Sequence, residues 1–110
     1  MVRYYSYLTI DVDRTAPRWK RELAMLRVLG LLTQGYKVRF HLTENGVHIL
    51  VPDLPPEMPL RAYFGDDLWR MWSDESRERC GGYSNLLFLG KGRKVEETDD
   101  WEVAWRWLCE

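Results

Sequence analysis

Hydrophobic and polar residues alternate along the segment Tyr5–Asp13, and this alternation predicts a β-strand. Side chains two residues apart share one face of a strand. One predicted face is mainly apolar and consists of Ser6, Leu8, Ile10 and Val12. The opposite face consists of Tyr5, Tyr7, Thr9, Asp11 and Asp13.

Asp11 and Asp13 give this strand its candidate chemistry. Two like charges on one strand face repel each other, so they are unfavourable in a purely structural strand. Two carboxylates about 7 Å apart along a strand can instead converge on one or two divalent cations. The simpler alternative is a strand that ends in solvent, with Asp13 or Thr15 capping the next helix.

The following segment predicts an α-helix from about Ala16 to Thr33. Thr15 is a favourable N-cap, Pro17 is compatible with the first turn, and Gly35 is a typical stop. Apolar residues recur with a 4-3-4 spacing, which predicts a stripe that faces the core. This stripe comprises Trp19, Leu23, Leu26 and Gly30, flanked by Met25, Leu29 and Leu32.

The runs Lys37–Glu44 and Val47–Val51 alternate on either side of Asn45-Gly46, which is typical of a hairpin with a two-residue turn. A turn at Asn45-Gly46 pairs Leu42 with Ile49 and Thr43 with His48. The predicted apolar face comprises Val38, Phe40, Leu42, Ile49 and Val51. The predicted second face comprises Arg39, His41, Thr43, His48 and Leu50.

Strand, helix and hairpin together predict an α+β fold with a β-α-β-β core of the RRM or ferredoxin-like type. If the helix covers the apolar strand faces, acids, imidazoles, tyrosines and an arginine share the uncovered face. We therefore expect Asp11, Asp13 and His48 to lie close together there. The chain is expected to form one domain, with the core at 5–52, a Pro-rich connector at 53–59 and a mainly helical extension at 60–110.

The extension predicts three helices and one short strand. The first helix covers about 60–64, and a second runs to about Arg79 after a cap at Asp66 or Asp67. Its predicted core stripe is Leu68, Trp69, Met71 and Trp72. Its charged side, Arg70, Asp74 and Arg77, predicts a solvated ladder of ion pairs. A buried strand at 85–89 and a basic glycine turn at 90–94 follow, and then a helix after Thr98 whose core face is Trp101, Trp105 and Leu108.

Composition narrows the functional classes. The chain has 110 residues, 45% of them hydrophobic, and a net charge of −1, which is typical of a globular protein. No apolar run approaches the roughly 20 residues that span a bilayer, and the first residues lack the apolar core of a signal peptide. We therefore expect a cytoplasmic protein without a membrane partner. Cys80 and Cys109 do not form a metal-binding motif.

Two segments resemble motifs of archaeo-eukaryotic primases. Leu8–Asp13 is similar to their first motif, in which apolar residues precede Asp-x-Asp. Thr43–Val47 followed by His48 is similar to their second, in which a hydroxyl residue and a glycine turn precede a strand histidine. The later segment 60–78 resembles parts of primase-like proteins from archaeal viruses and plasmids.

The resemblance implies an RRM-like core in which Asp11 and Asp13 bind Mg²⁺ or Mn²⁺ and His48 contacts the phosphates of a nucleotide. A third acid on a later strand normally completes the site, but the strand at 86–89 contains none. The remaining candidates for that acid are Asp66, Asp67, Asp74, Asp99 and Asp100. The zinc-binding elements of the family are also absent from the sequence.

Three functional hypotheses follow. The first is a minimal primase-like nucleotidyltransferase or nuclease in the replication of an archaeal or viral element, with Arg39, His41 and Thr43 near the phosphates. The second is an inactive RRM-like module in which Tyr5 and Tyr7 stack on bases. The third is a small protein that dimerises or binds other proteins through the sheet face.

Overall fold

A computed structural model describes residues 2–81, 86–88 and 94–110. The described chain is α+β. Its elements are β1 Val2–Tyr4, β2 Leu8–Asp13, α1 Arg18–Thr33, β3 Arg39–Thr43, β4 Gly46–Val51, α2 Met58–Tyr63, α3 Leu68–Arg79, β5 Leu86–Phe88, β6 Lys94–Thr98 and α4 Trp101–Cys109. None of the helices in these ranges has the length and apolar character needed to cross a bilayer.

The main sheet has four antiparallel strands in the order β2-β4-β3-β6, and β1 pairs with β5 in a separate ribbon. Both β2 and β3 run antiparallel to β4, so they are parallel to each other and are separated by β4. This is a split β-α-β arrangement, and the predicted β-α-β-β order is present. The prediction of one strand in the extension was wrong, because Lys94–Thr98 forms β6 beside β3. The predicted glycine turn at 90–93 and the ends of the predicted strand, Asn85 and Leu89, lie outside the described residues.

The hairpin turn lies one residue earlier than predicted. Its loop is Glu44-Asn45, and Leu42 pairs with Val47 rather than with Ile49. The Thr43 hydroxyl closes the loop, because it accepts the Gly46 N–H at 3.0 Å and donates to the Gly46 carbonyl at 3.1 Å. The pairing differs by two residues from the prediction, and an even shift leaves every side chain on its predicted face.

Gly46 is required by packing rather than by the turn. A Cβ at this position would lie 2.1 Å from the carbonyl oxygen of Val12 in the neighbouring strand. Only glycine therefore allows β2 to approach the start of β4.

The core forms where α1 and α4 cover the apolar face of the sheet. The predicted apolar strand residues are buried there: Leu8, Ile10, Val12, Val38, Phe40, Leu42, Ile49 and Val51. On α4, Leu108 is buried as predicted, and Trp101 and Trp105 are partly buried against the core. The Trp101 indole donates a hydrogen bond to the Met25 carbonyl at 2.8 Å, which ties α4 to α1.

The centre of the predicted core stripe of α1 was wrong, although Met25, one of its flanking residues, is buried as predicted. Trp19 is 67% exposed and Leu26 is 52% exposed, and Leu23 is also exposed. The helix buries a second apolar stripe, which consists of Ala24, Met25, Val28 and Leu31. Close packing favours this stripe, since a Cβ at Gly65 would lie 3.3 Å from that of Ala24, a separation that leaves no room for a larger side chain.

The start of α1 also differs from the prediction. The N-cap is Pro17, which makes no side-chain hydrogen bond to the helix. Thr15 does not cap the helix, because its hydroxyl donates to the Asp13 carboxylate instead. Gly35 follows the helix with a positive φ of 92°, as expected for a glycine stop.

The orientation of α3 is the reverse of the prediction. Trp69 and Trp72 are 70% and 58% exposed, and Leu68 is also exposed. The buried residues of this helix are Arg70 and Asp74. The charged side therefore faces the protein, because α3 follows the edge of β2 and supplies polar partners there.

Candidate carboxylate site at the edge of the sheet

Asp11 and His48 face each other across the pair of strands β2 and β4. The two residues are direct partners in the strand register, and the His48 Nε2 atom lies 3.5 Å from the Asp11 Oδ1 atom. The His48 side chain is 8% exposed and the Asp11 side chain 32% exposed. The predicted closeness of these two residues is therefore present in the structure.

The sheet face that carries them is not open, contrary to the prediction. Thr9 and Thr43 are buried, as are Tyr5 and Leu50. Tyr5 packs against Leu50 and meets Tyr7 edge to face, with 5.4 Å between ring centroids. Burial of these apolar and aromatic surfaces is favourable. It also covers the ring of Tyr5, one of the two residues that were predicted to stack on bases.

The segment between α2 and α3 satisfies the free edge of β2. The Asp66 carboxylate accepts the Asp11 N–H at 2.7 Å, and the Asp67 N–H donates to the Asp11 carbonyl at 3.0 Å. Arg70 donates to the Thr9 carbonyl at 3.1 Å. Unpaired backbone groups on an edge strand must find partners, and these contacts place Asp66 and Asp67 next to Asp11.

A buried network of charges supports this segment. Asp66 accepts from Arg61 Nε at 2.6 Å and from Arg70 Nη1 at 2.8 Å. Arg61 Nη2 lies 2.8 Å from an Asp74 oxygen, and Arg77 also pairs with Asp74. The side chains of Arg61, Asp66 and Asp74 are fully buried. The prediction that Arg70, Asp74 and Arg77 form a solvated ladder was therefore wrong.

Three aspartates, Asp11, Asp13 and Asp67, are among the residues that line one cleft of about 240 Å³ between β2, the start of α1 and the start of α3. Lys20 lines the same cleft. Asp67 was only one of five default candidates for a third acid in the sequence. Its N–H donates to the Asp11 carbonyl, which places Asp67, together with Asp66, beside the first acid of the predicted pair.

Asp13 and Asp67 each use one carboxylate oxygen locally. Asp13 Oδ1 accepts the N–H of Thr15 at 2.9 Å and the Thr15 hydroxyl at 3.0 Å. Asp67 Oδ1 accepts the N–H of Trp69 at 3.3 Å and so caps α3. Within the described residues, the second oxygen of each carboxylate makes no hydrogen bond, so both oxygens remain suitable as ligands.

The environment shifts the titration of both members of the Asp11–His48 pair. Burial raises the pKa of Asp11 to about 7; Arg70 opposes this rise, and the charges of Asp66, Asp67 and Asp13 add to it. Burial lowers the pKa of His48 to about 4, and the positive charge of Arg70 and the proximity of His41 lower it further. Between about pH 4 and pH 7, Asp11 therefore carries a proton and His48 is neutral.

The donor set has the chemistry that a hard divalent cation requires. Carboxylate oxygens are the preferred ligands of Mg²⁺, which commonly keeps several waters and takes only one or two carboxylates from the protein. No group of three or more potential ligands is already gathered at cation distance in the described ranges. Among the aspartates near β2 and α3, Asp66 and Asp74 pair with arginines. Asp11, Asp13 and Asp67 remain as candidate cation ligands.

Two of the predicted phosphate-binding residues, Arg39 and His41, lie two strands away from Asp11. Arg39 and His41 belong to β3, which β4 separates from β2. Both contact the same Glu97 oxygen on β6, at 3.2 and 3.0 Å. Glu97 was missed by the sequence analysis because β6 was not predicted. Thr43 is engaged in the hairpin turn.

Comparison with known proteins gives one informative similarity. No family model matches the chain, and no solved structure matches it. The chain is 36% identical over 72 residues to the uncharacterized protein ORF116 of Acidianus filamentous virus 2 (isolate Italy/Pozzuoli), and the match covers 62% of each chain. The chain thus spans under two thirds of this relative, and the similarity is compatible with the predicted archaeal or viral setting.

Proposed function

We propose that the protein binds the phosphates of a nucleotide or nucleic acid through a divalent cation, Mg²⁺ or Mn²⁺, held by Asp11 and Asp13 with Asp67 as the third acid. The observation that supports this most directly is that these three aspartates line one cleft. A cation is essential to the proposal, because three carboxylates repel a phosphate unless positive charge intervenes.

The protonation of Asp11 supports a cation site. Burial raises the pKa of Asp11 to about 7, and the negative charges of Asp66, Asp67 and Asp13 add to this rise. A cation would supply positive charge and displace the proton. His48 lies behind Asp11 at 3.5 Å, so its proposed role is to orient this carboxyl, and Lys20 is available on the cleft wall for a phosphate.

The fold supports the primase-like form of this proposal. The split β-α-β core is compatible with the RRM or ferredoxin-like arrangement that the two motifs imply, and the Asp-x-Asp pair ends the first core strand. In this protein the third acid would come from the cap of α3 rather than from a later strand. Nucleotidyl transfer in the replication of a mobile element is the corresponding catalytic hypothesis.

Calorimetric titration of the protein with ATP, in Mg²⁺ and in EDTA, tests the proposal. We expect the affinity to rise at least about tenfold with Mg²⁺, and Asp11→Asn and Asp13→Asn to abolish the increase. Asp53→Asn is a matched control, since Asp53 is an exposed aspartate outside the cleft. Equal affinity in Mg²⁺ and EDTA would contradict the proposal. Metal-independent binding of single-stranded nucleic acid that depends on Tyr7 would support the RRM-like alternative instead.

A further inference from the structure

The outer face of α1 carries an apolar seam, defined as Trp19, Leu23, Leu26 and Gly30. These residues follow a 4-3-4 spacing, the spacing of core positions in a coiled coil. The core-facing residues Ala24, Val28 and Leu31 lie on the opposite side of the helix. The seam therefore contributes nothing to the core of its own chain, although it is the most regular apolar pattern in the helix.

Gly30 provides a second, independent observation about this face. Glycine in the middle of a helix is less stable than alanine, so it normally has a packing reason. A Cβ at Gly30 would meet no atom within 4 Å in the described structure. Packing within the chain therefore does not require glycine, whereas close approach of another helix to the seam would.

We infer that the protein forms a parallel homodimer in which the seams of two copies of α1 pack against each other. The charged residues beside the seam favour a second copy of this chain as the partner and a parallel direction of the two helices. Glu22 borders the seam on one side, and Lys20 and Arg27 border it on the other. In a parallel pair, Glu22 of each copy lies next to Arg27 of the other. An antiparallel pair would instead bring Lys20 of one copy next to Arg27 of the other.

Arg27 is already held beside the seam. Its guanidinium lies 4.2 Å from the centre of the Tyr63 ring and donates to the Tyr63 carbonyl. This contact leaves other guanidinium donors for a carboxylate and reduces the entropy lost when an ion pair forms. Glu22 contacts Arg18 in an exposed pair, which exchanges at little cost.

The contact area indicates a weak dimer. Trp19, Leu23 and Leu26 of two copies together would bury roughly 600–700 Å² of side-chain surface, whereas stable interfaces bury about 1,200–2,000 Å². We therefore expect a monomer of 13.2 kDa at low micromolar concentration and a dimer as the concentration approaches about 1 mM.

Sedimentation equilibrium over this concentration range tests the dimer. Leu23→Glu should weaken dimerisation at least about tenfold, because it places a charge in the seam. Leu68→Glu is the matched control, since Leu68 is also exposed but lies on α3, and it should dimerise like the wild type. A wild type that remains monomeric at 1 mM, or an equal effect of both substitutions, would overturn the inference.

The substitution Gly30→Ala tests whether Gly30 is needed for close packing in the dimer. The substitution should raise the melting temperature of the monomer by about 3–6 °C through helix propensity, and it should weaken the dimer severalfold through the added methyl group. Unchanged or stronger dimerisation would contradict close packing at Gly30.

A cysteine cross-link tests the direction of the pair. Thr33→Cys is made together with Cys80→Ser, which removes the exposed native thiol. Thr33 continues the seam by one step, so the new thiols lie together in a parallel pair, but about 25 Å apart along the axis in an antiparallel one. Oxidation should therefore cross-link this variant, and failure to cross-link under conditions where it dimerises would overturn the parallel arrangement.

Discussion

Replacing Asp11 by Asn and His48 by Gln, one at a time, is expected to change the pH dependence of stability in opposite directions. The reason is that the proton lies on Asp11 in the folded protein and on His48 in the unfolded chain. Between about pH 4 and pH 6.5 the folded pair holds one proton, and the unfolded chain also holds one, on His48. The wild-type pair therefore contributes almost no slope in this range.

Each substitution leaves one residue whose pKa shift is no longer offset by the opposite shift of the other. In Asp11→Asn, between about pH 4 and pH 6.5, His48 is neutral in the folded protein and protonated in the unfolded chain. The free energy of unfolding is therefore highest above about pH 6.5 and falls as the pH is lowered towards 4. In His48→Gln, Asp11 is protonated when folded and ionised when unfolded. Stability is then complete below about pH 4 and falls as the pH rises through about 7.

The magnitudes follow from the pKa shifts. Each pKa unit corresponds to about 1.4 kcal/mol, so the fall of the His48 pKa from 6.5 to about 4 gives a change of about 3 kcal/mol for Asp11→Asn. The corresponding figure for Asp11 is about 4 kcal/mol before solvent is considered. Because its side chain is 32% exposed, we expect only about 2 kcal/mol for His48→Gln.

Urea unfolding of the wild type and both variants between pH 4.5 and pH 7.5 measures these slopes. The difference in unfolding free energy from the wild type is the quantity to compare, because the other carboxyl groups then cancel. The difference should rise with pH for Asp11→Asn and fall with pH for His48→Gln. Slopes of the same sign, or no slope in either variant, would refute the opposite pKa shifts of Asp11 and His48.

Two further predictions concern the structure around the cleft. Asp66→Asn should lower the free energy of unfolding by about 3–5 kcal/mol, because it leaves two buried arginines without their shared carboxylate. The control Asp53→Asn should change this free energy by less than about 0.5 kcal/mol in the same urea assay. Similar values for the two variants would contradict the buried network. Gly46→Ala should lower the free energy of unfolding by about 3 kcal/mol or more, because the new methyl group would lie 2.1 Å from the Val12 oxygen. The control Gly30→Ala should raise the free energy of unfolding by up to about 1 kcal/mol. A Gly46→Ala protein as stable as the wild type would show that β2 does not approach β4 this closely.

The strand faces could be predicted from the sequence because they depend on alternation alone. The core positions of β2 and of the hairpin were correct even though the turn was misplaced, since the error was an even number of residues. The neighbouring positions of Asp11 and His48 followed from the same alternation once β2 and β4 paired. A two-residue period is a local property and does not require knowledge of the tertiary contacts.

The helix orientations could not be predicted in the same way. The helix α1 has two apolar stripes, and contacts with the sheet, with α4 and with the segment at Gly65 decide which one is buried. In α3, the polar demand of the β2 edge outweighs the apolar stripe of Trp69 and Trp72. The i, i+4 spacing of Asp66 and Arg70 was a visible signal, but the same spacing is common in exposed ion pairs.

The third acid and the covered sheet face depend on long-range contacts. Asp67 reaches the cleft because its N–H pairs with the Asp11 carbonyl, 56 positions earlier in the chain. Arg39 and His41 lie two strands from Asp11 and contact Glu97 on β6, whose charged sequence does not alternate like a buried strand. These contacts explain why the Asp-x-Asp pair was found in the sequence while its surroundings were not.

The most direct test of the central claim is a crystal structure of the protein grown or soaked with Mn²⁺, with the metal located by its anomalous signal. We expect a Mn²⁺ ion bound by carboxylate oxygens of Asp11 and Asp13, with the Asp67 carboxylate as a direct ligand or one water away, and loss of this ion in Asp11→Asn crystals. No Mn²⁺ at this cleft at saturating concentration, or Mn²⁺ bound only elsewhere, would contradict it.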